Sequence, residues 1–278
     1  MKWKGRRQSA NVEDRRGMGM GGKTAIGGGV GGLIIILLYT LLGGNPNDVV
    51  NYPPPEQGTG TNTAYEESAQ ERELADFVSV VLADTEDVWS EEFKKRGLDY
   101  ENPKLVLYSG SVQSACGFAS SAVGPFYCPG DHKLYIDLSF YEELKQRFQA
   151  PGDFAMAYVL AHEVGHHVQT ILNLGGQASD AEKRSNEYSV RFELQADYLA
   201  GVWANHVQGK GYLEKGDLEE ALNAAKAVGD DNIQKKAQGY VVPDSFTHGT
   251  SEQRKHWFYK GFENGTIEGG DTFKVSNL

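Results

Sequence analysis

One stretch in the second half of the chain constrains the fold more than any other feature. From Phe154 to Gln169 the sequence reads Phe-Ala-Met-Ala-Tyr-Val-Leu-Ala-His-Glu-Val-Gly-His-His-Val-Gln. The apolar residues at its start predict a helix that is buried in the core of a domain. His162 and His166 are four positions apart, so both imidazoles project from the same face of this helix. The core must therefore form around a helix that carries two potential metal ligands.

The residues within this motif fit a catalytic metal site. Two imidazoles at this spacing can bind a single zinc ion. Glu163 directly follows the first of them, where it would lie beside the open coordination position and accept a proton from a bound water. The alternative is a surface helix that carries His162 and His166 and binds no metal.

A second helical stretch, residues 188–201, supplies further candidates. A catalytic zinc ion takes three protein ligands, and two histidines with one glutamate are a known set, so Glu193 is the predicted third ligand. Asp197, one turn later on the same face, could accept the free N–H of a ligating histidine. Alternatively, Glu193 is solvated or pairs with Arg191. The neighbouring residues are apolar, and carboxylates buried among them need a cation, which favours the metal.

The charge of the chain is unevenly distributed. The formal net charge is −11. Residues 1–23 hold seven basic and two acidic residues, a net charge of +5, which leaves −16 for the rest of the chain. A body this acidic repels the phosphates of nucleic acids, so nucleic-acid binding is excluded as a function.

Residues 24–44 contain no charged side chain and predict a transmembrane helix, since about 20 apolar residues span a bilayer. The basic residues before this segment place residues 1–23 in the cytoplasm. The chain is then a single-pass protein of the inner (plasma) membrane with an extracytoplasmic, periplasmic domain. A cleaved signal peptide is the alternative, but residues 43–46 (Gly-Gly-Asn-Pro) make a poor cleavage site.

The remaining chain divides into a linker and one domain. Residues 45–70 are rich in Pro, Gly and Thr and predict a flexible linker. Within the domain, residues 71–278, a helix is predicted at 71–96. The predicted strands cover 104–108, 126–128 and 134–138, and helical periodicity runs with breaks from 153 to 227. The predicted fold class is α+β, with a small antiparallel sheet and a mostly helical C-terminal half.

Cys116 and Cys128 are the only cysteines in the chain. They flank a predicted turn between neighbouring strands. If the domain lies outside the cytoplasm, a disulfide between them is permitted. Two unpaired buried thiols are the alternative.

The motifs resemble those of known zinc peptidases. A His-Glu-x-x-His helix followed by Glu193 and Asp197 resembles the gluzincin arrangement of thermolysin and its relatives. The segment from Thr247 to Arg254 is similar to the His-then-Arg segment of membrane-associated metallopeptidases. This resemblance implies that His248 assists the transition state and that Arg254 braces the site. Alternatively, His248 is an ordinary loop histidine, and Arg254 is exposed on the final helix.

The whole layout more closely resembles the bacterial putative neutral zinc metallopeptidase family. The shared features are the basic start, the apolar segment, Ala115-Cys116-Gly117, Gly124-Pro-Phe-Tyr-Cys-Pro129, Tyr135-Ile-Asp-Leu-Ser139 and the zinc motif. The resemblance covers nearly the whole chain. It implies a zincin-like fold, a zinc cofactor and peptidase activity.

Three functions are consistent with these patterns. The first is a membrane-anchored zinc endopeptidase that acts on a peptide or protein substrate, which we expect to bind along a sheet edge near 134–138. The second is a binding or assembly protein of the cell envelope that zinc stabilises and whose site is catalytically idle. The third is hydrolysis of a non-peptide amide, such as cell-wall material.

Overall fold

The computed structural model describes residues 1–18, 65–176 and 178–278. The predicted transmembrane helix at 24–44 and most of the predicted linker, residues 45–64, lie outside these ranges. Within them, no helix combines the length and the apolar character needed to cross a bilayer.

The described residues form an α+β structure that is mostly helical, as the sequence predicts. The strands are β1 (Val12–Asp14), β2 (Lys104–Tyr108), β3 (Ser111–Ser114), β4 (Gly117–Ser120), β5 (Phe126–Cys128) and β6 (Lys133–Asp137). The helices are α1 (Ala69–Lys95), α2 (Phe140–Gln146), α3 (Asp153–Leu172), α4 (Asn186–Gly209), α5 (Asp217–Ala227), α6 (Asp230–Gln238) and α7 (Ser251–Asn264).

The main sheet is mixed, so the prediction of a purely antiparallel sheet is wrong. Its strand order is β1-β2-β6-β5, with β1, β2 and β6 parallel and only β5 antiparallel to β6. Parallel strands require a crossover connection, and here the chain from β2 to β6 makes a separate β3–β4 hairpin and then β5. β5 pairs with residues 133–135 of β6, so that part of the strand does not offer the expected edge, whereas residues 136–138 have no partner in β5. In the described sheet the edges are β1 and β5.

The core is built around α3, which packs against α1, α4 and α5. Phe154 of α3 stacks on Trp203 of α4 with ring centroids 5.6 Å apart, and both are fully buried. The helix ends at Asn173, which adopts a left-handed conformation with φ of 50°. The helix that carries the two histidines is therefore central to the domain, as its apolar start predicts.

Two glycines bring α7 directly against α4. A Cβ atom at Gly201 would collide with the carbonyl oxygen of Phe258, and one at Gly261 would collide with that of Tyr198. The two helices therefore pack backbone to backbone. This close approach brings the side chains at the start of α7 towards α3 and α4.

Residues 1–18, which we call the N-terminal strap, belong to the same folded unit as the rest of the described chain. β1 pairs with β2, and the α-amino group of Met1 lies 2.7 Å from a carboxylate oxygen of Asp153, the first residue of α3. Arg6 contacts Asp84 of α1, and Arg7 lies 2.9 Å from Glu86 of the same helix. The strap's basic residues thus neutralise acidic residues of α1.

This packing differs from the predicted division of the chain. The sequence places residues 1–23 in the cytoplasm, apart from a domain that begins at residue 71. In the structure the fold includes residues 1–18, and it resumes before residue 71 because Ser68 caps α1 with Glu71. The basic residues from which the cytoplasmic placement was predicted include Arg6 and Arg7, which pair with carboxylates of α1.

The expected disulfide between Cys116 and Cys128 is present, with an S–S distance of 2.02 Å. Cys116 lies in the turn of the β3–β4 hairpin, and Cys128 ends β5. The bond therefore fastens the separate hairpin to the main sheet.

Candidate metal centre

The site lies where α3 and α4 cross. Gly165 is between the two histidines of the motif, and a Cβ atom there would lie 2.9 Å from the carbonyl oxygen of Ala196. Only a glycine leaves room for this close crossing. Because Glu193 precedes Ala196 by three residues, the crossing brings its carboxylate next to His162 and His166.

The structure brings the three predicted ligands together. Ligand atoms of His162, His166 and Glu193 all lie within 4.8 Å of one another. The Nε2 atom of His162 is 3.1 Å from one carboxylate oxygen of Glu193, and the Nε2 atom of His166 is 3.5 Å from the other. Two imidazole nitrogens and one carboxylate oxygen suit a catalytic zinc ion, which keeps a fourth position for water.

The outer nitrogen of each imidazole is also held. The Nδ1 atom of His162 lies 2.8 Å from Asp197, and that of His166 lies 2.8 Å from the side-chain oxygen of Gln169. If each Nδ1 carries the proton and donates a hydrogen bond to its partner, each Nε2 has a free lone pair for a metal. These residues fit a zinc ion in both donor type and orientation.

Asp197 and Arg254 form a buried ion pair behind His162. Asp197 is fully buried and accepts hydrogen bonds from Tyr158 at 2.5 Å and from two nitrogens of Arg254 at 2.8 and 3.0 Å. Burial raises the pKa of Asp197, but the charges of Arg254 and His162 outweigh burial and lower the pKa to about 2. Arg254 is only 5% exposed, so the alternative prediction of an exposed Arg254 on the final helix is wrong.

Glu163 is 8% exposed and lies beside the two histidines. Burial raises its pKa above the ordinary glutamate value, although the charges of His162 and His166 act in the opposite direction. A raised pKa makes this carboxylate a stronger base towards a proton from water.

His248 is held near the metal ligands by Asp230, the first residue of α6. One carboxylate oxygen of Asp230 accepts backbone hydrogen bonds from Thr247, His248 and Gly249, at 2.7, 2.7 and 3.1 Å. The other oxygen lies 3.2 Å from Nδ1 of His248. Burial lowers the pKa of His248, but the charges of Glu193 and Asp230 outweigh burial and raise it. The raised pKa widens the pH range in which His248 is protonated.

The sequence analysis missed four polar residues of this site: Tyr158, Gln169, Gln195 and Asp230. The first two could have been found from helical spacing, since Tyr158 is four positions before His162 and Gln169 is three after His166. Asp230 gives no such signal because it is 18 residues from His248 and meets it only through the packing of a loop.

The other histidine of the motif lies away from the metal ligands. His167 is fully buried, with Nε2 2.6 Å from the carbonyl oxygen of Glu101 and Nδ1 3.1 Å from the hydroxyl of Tyr127. Adjacent helix positions are about 100° apart, so His167 does not share the helix face of His166.

The zinc-free protein is expected to lose stability as pH rises. Burial lowers the pKa of His162, but Asp197 outweighs burial and raises it to about 9. Because this folded-state pKa exceeds the unfolded value of about 6.5, the stabilisation is complete below pH 6.5 and is lost as pH rises towards 9. Thermal unfolding in a chelator across this range measures the effect, with His162→Asn as the control that flattens the dependence. A melting temperature that rises from pH 6.5 to 9 would contradict this assignment.

Comparison with known proteins adds a family match. The model of a family described as "Putative neutral zinc metallopeptidase" matches residues 1–273. The chain is 48% identical over 286 residues to "Uncharacterized protein YpfJ" of Escherichia coli (strain K12), which covers 99% of this chain and all of that one. It is 44% identical over 190 residues to "Uncharacterized protein Rv2575" of Mycobacterium tuberculosis (strain ATCC 25618 / H37Rv), covering 64% of this chain and 65% of that one. No solved structure matches the chain.

Proposed function

The chain belongs to the putative neutral zinc metallopeptidase family, and on that premise we propose that it is a zinc-dependent peptidase with a zincin-like catalytic domain. The observation that supports this most strongly is the convergence of His162, His166 and Glu193, with the buried Glu163 beside them. A site that only stabilised the fold would need no buried carboxyl group next to its ligands.

In this proposal His162, His166 and Glu193 hold the zinc ion. When bound, zinc supplies a Lewis acid that polarises a carbonyl group and lowers the pKa of water to about 7. Glu163 accepts a proton from the attacking water and delivers it to the leaving nitrogen of the peptide bond. The raised pKa of Glu163 supports both steps, because the carboxyl group must hold the proton between them.

His248 and Arg254 act around this core. His248, held by Asp230, donates a hydrogen bond to the substrate oxygen as negative charge develops on it. Arg254 does not contact the substrate. It keeps Asp197 ionised, so that Asp197 accepts a hydrogen bond from the N–H at Nδ1 of His162. The lone pair at Nε2 is then free for the metal.

We place this catalytic domain outside the cytoplasm, in the periplasm of a bacterium with two membranes. The disulfide between Cys116 and Cys128 supports this, because disulfides persist in oxidising compartments. Attachment of residues 24–44 to the inner membrane rests on their uncharged sequence and stays a prediction. The cytoplasmic placement of residues 1–23 is not part of the proposal, because a single crossing would separate the N-terminal strap from the domain on which it packs.

Zinc analysis and a peptide-cleavage assay on the purified full chain test the proposal together. We expect about one zinc ion per chain, set by the three converging ligands, and cleavage of members of a diverse peptide library that a chelator abolishes and zinc restores. Peptides with a non-hydrolysable amide replacement serve as the control for binding alone. A zinc-loaded, folded chain that cleaves no peptide in the library would refute the peptidase assignment.

A further inference from the structure

We propose that Gln169 is a positioning residue that sets the tautomer of the metal ligand His166, and that Gln195 supports it. This inference rests on the proposed zinc site and deepens it. The two glutamines, together with the backbone carbonyl groups that they contact, are called here the amide relay. Both side chains are almost fully buried, at 1% and 3% exposure.

The amide relay runs from His166 to a C-terminal segment of the chain. The Nδ1 atom of His166 is 2.8 Å from Oε1 of Gln169. The Nε2 atom of Gln169 donates to the carbonyl oxygen of Phe192 at 2.8 Å and to Oε1 of Gln195 at 2.9 Å. The Nε2 atom of Gln195 then donates to the carbonyl oxygen of Gly270 at 3.2 Å.

Two backbone carbonyl groups determine the direction of every hydrogen bond in the amide relay. A carbonyl oxygen can only accept, so Gln169 must turn its NH₂ group towards Phe192, and Gln195 must turn its own towards Gly270. A flipped amide of Gln169 would set its oxygen against two acceptor oxygens. Its oxygen must therefore face His166, and Nδ1 of His166 must be the donor.

This tautomer leaves the metal-binding lone pair of His166 on the nitrogen that faces Glu193. With the proton on Nδ1, the lone pair of His166 is on Nε2, the atom that lies 3.5 Å from Glu193. Because Phe192 immediately precedes Glu193, the same amide group also ties the ligand on α3 to the ligand helix α4. The ring of Phe192 stacks on that of His166, with centroids 5.4 Å apart, and restrains the ring plane.

The two histidine ligands are thus positioned by different chemistry. His162 donates to a carboxylate, Asp197, whose charge Arg254 balances. His166 donates to a neutral amide, so its tautomer is fixed without a further negative charge beside the zinc ion. With zinc bound by His162, His166 and Glu193, this arrangement would leave more of the ion's positive charge available to polarise a substrate carbonyl group.

Zinc affinity of the folded chain, measured by competition with a chromogenic chelator, tests the amide relay. We expect Gln169→Leu to raise the zinc dissociation constant about 10–100-fold, the usual effect of losing such a partner. Gln195→Leu should have a smaller effect, because Phe192 still orients Gln169. Gln169→Glu keeps an acceptor for the N–H at Nδ1 of His166 but loses the donor to Phe192 and Gln195, so it should recover part of the zinc affinity that Gln169→Leu loses.

Gln234→Leu is the matched control. Gln234 is equally buried, at 1% exposure, and its amide group bonds Ser245 and Val242 rather than a ligand. It should leave the zinc dissociation constant unchanged. If folded Gln169→Leu binds zinc as tightly as Gln234→Leu does, the amide relay is refuted while the zinc site stands. If Gln169→Leu does not fold, Gln169→Met decides: a folded Gln169→Met variant that binds zinc as tightly as Gln234→Leu does overturns the proposal. A wild-type chain that binds no zinc overturns the proposed function and this inference together.

Discussion

Replacing Glu163 by glutamine is expected to lower kcat for peptide cleavage by about 10²–10⁴-fold while the chain still binds zinc, because general acid–base catalysis contributes this much. Glutamine has nearly the same shape but cannot carry a proton from water to the leaving nitrogen. The substitution leaves the three converging ligands, His162, His166 and Glu193, unchanged. The measurement is kcat with metal content on the same preparation.

Glu143→Gln is the control for this prediction. Burial also raises the pKa of Glu143, but this residue belongs to α2 and takes no part in the metal centre. It should leave kcat unchanged. If Glu163→Gln cleaves peptides at the wild-type rate, Glu163 is not the proton carrier. If a zinc-loaded wild type shows no activity that this change can reduce, the idle, zinc-stabilised binding protein becomes the better reading.

Replacing Arg254 by methionine is expected to lower the free energy of unfolding by about 3–5 kcal/mol, the usual cost of removing one partner of a buried ion pair. Methionine preserves much of the side-chain volume but leaves Asp197 charged and fully buried. The remaining partners, Tyr158 and His162, do not replace the two hydrogen bonds that Arg254 donates. Urea unfolding of the zinc-free protein measures the loss.

Arg147→Met is the matched control for that loss. Arg147 is half exposed, and its nearest carboxylate oxygen, from Glu143, is 4.0 Å away. An exposed pair of this kind contributes at most about 1 kcal/mol. If Arg254→Met and Arg147→Met lower the free energy of unfolding equally, the ion pair of Arg254 with Asp197 does not stabilise the fold.

The sequence predicts best what depends on neighbours along the chain. Helical spacing alone places His162 and His166 on one face and Glu193 and Asp197 on another helix, and the structure brings all four together. Strand β2 is also predicted with its observed bounds, because its apolar run lies between clear breaks.

The order of strands in the sheet is less predictable. β1 has only three residues, Val-Glu-Asp, of which only the valine is apolar, and its partner β2 begins 90 residues after β1 ends. Nothing local indicates that pairing. The contact of Asp230 with His248 is equally hard to predict, because it depends on how α6 packs. Tyr158 and Gln169 could have been predicted, because they lie at helical spacings from His162 and His166.

The N-terminal strap has a consequence for biosynthesis. Its partners in α1 and β2 lie later in the chain and are made after it, so the strap cannot fold until they emerge from the ribosome. The strap also ends where α1 begins, since Arg16 lies 2.8 Å from Glu67. Both parts must therefore reach the same compartment before the domain can close.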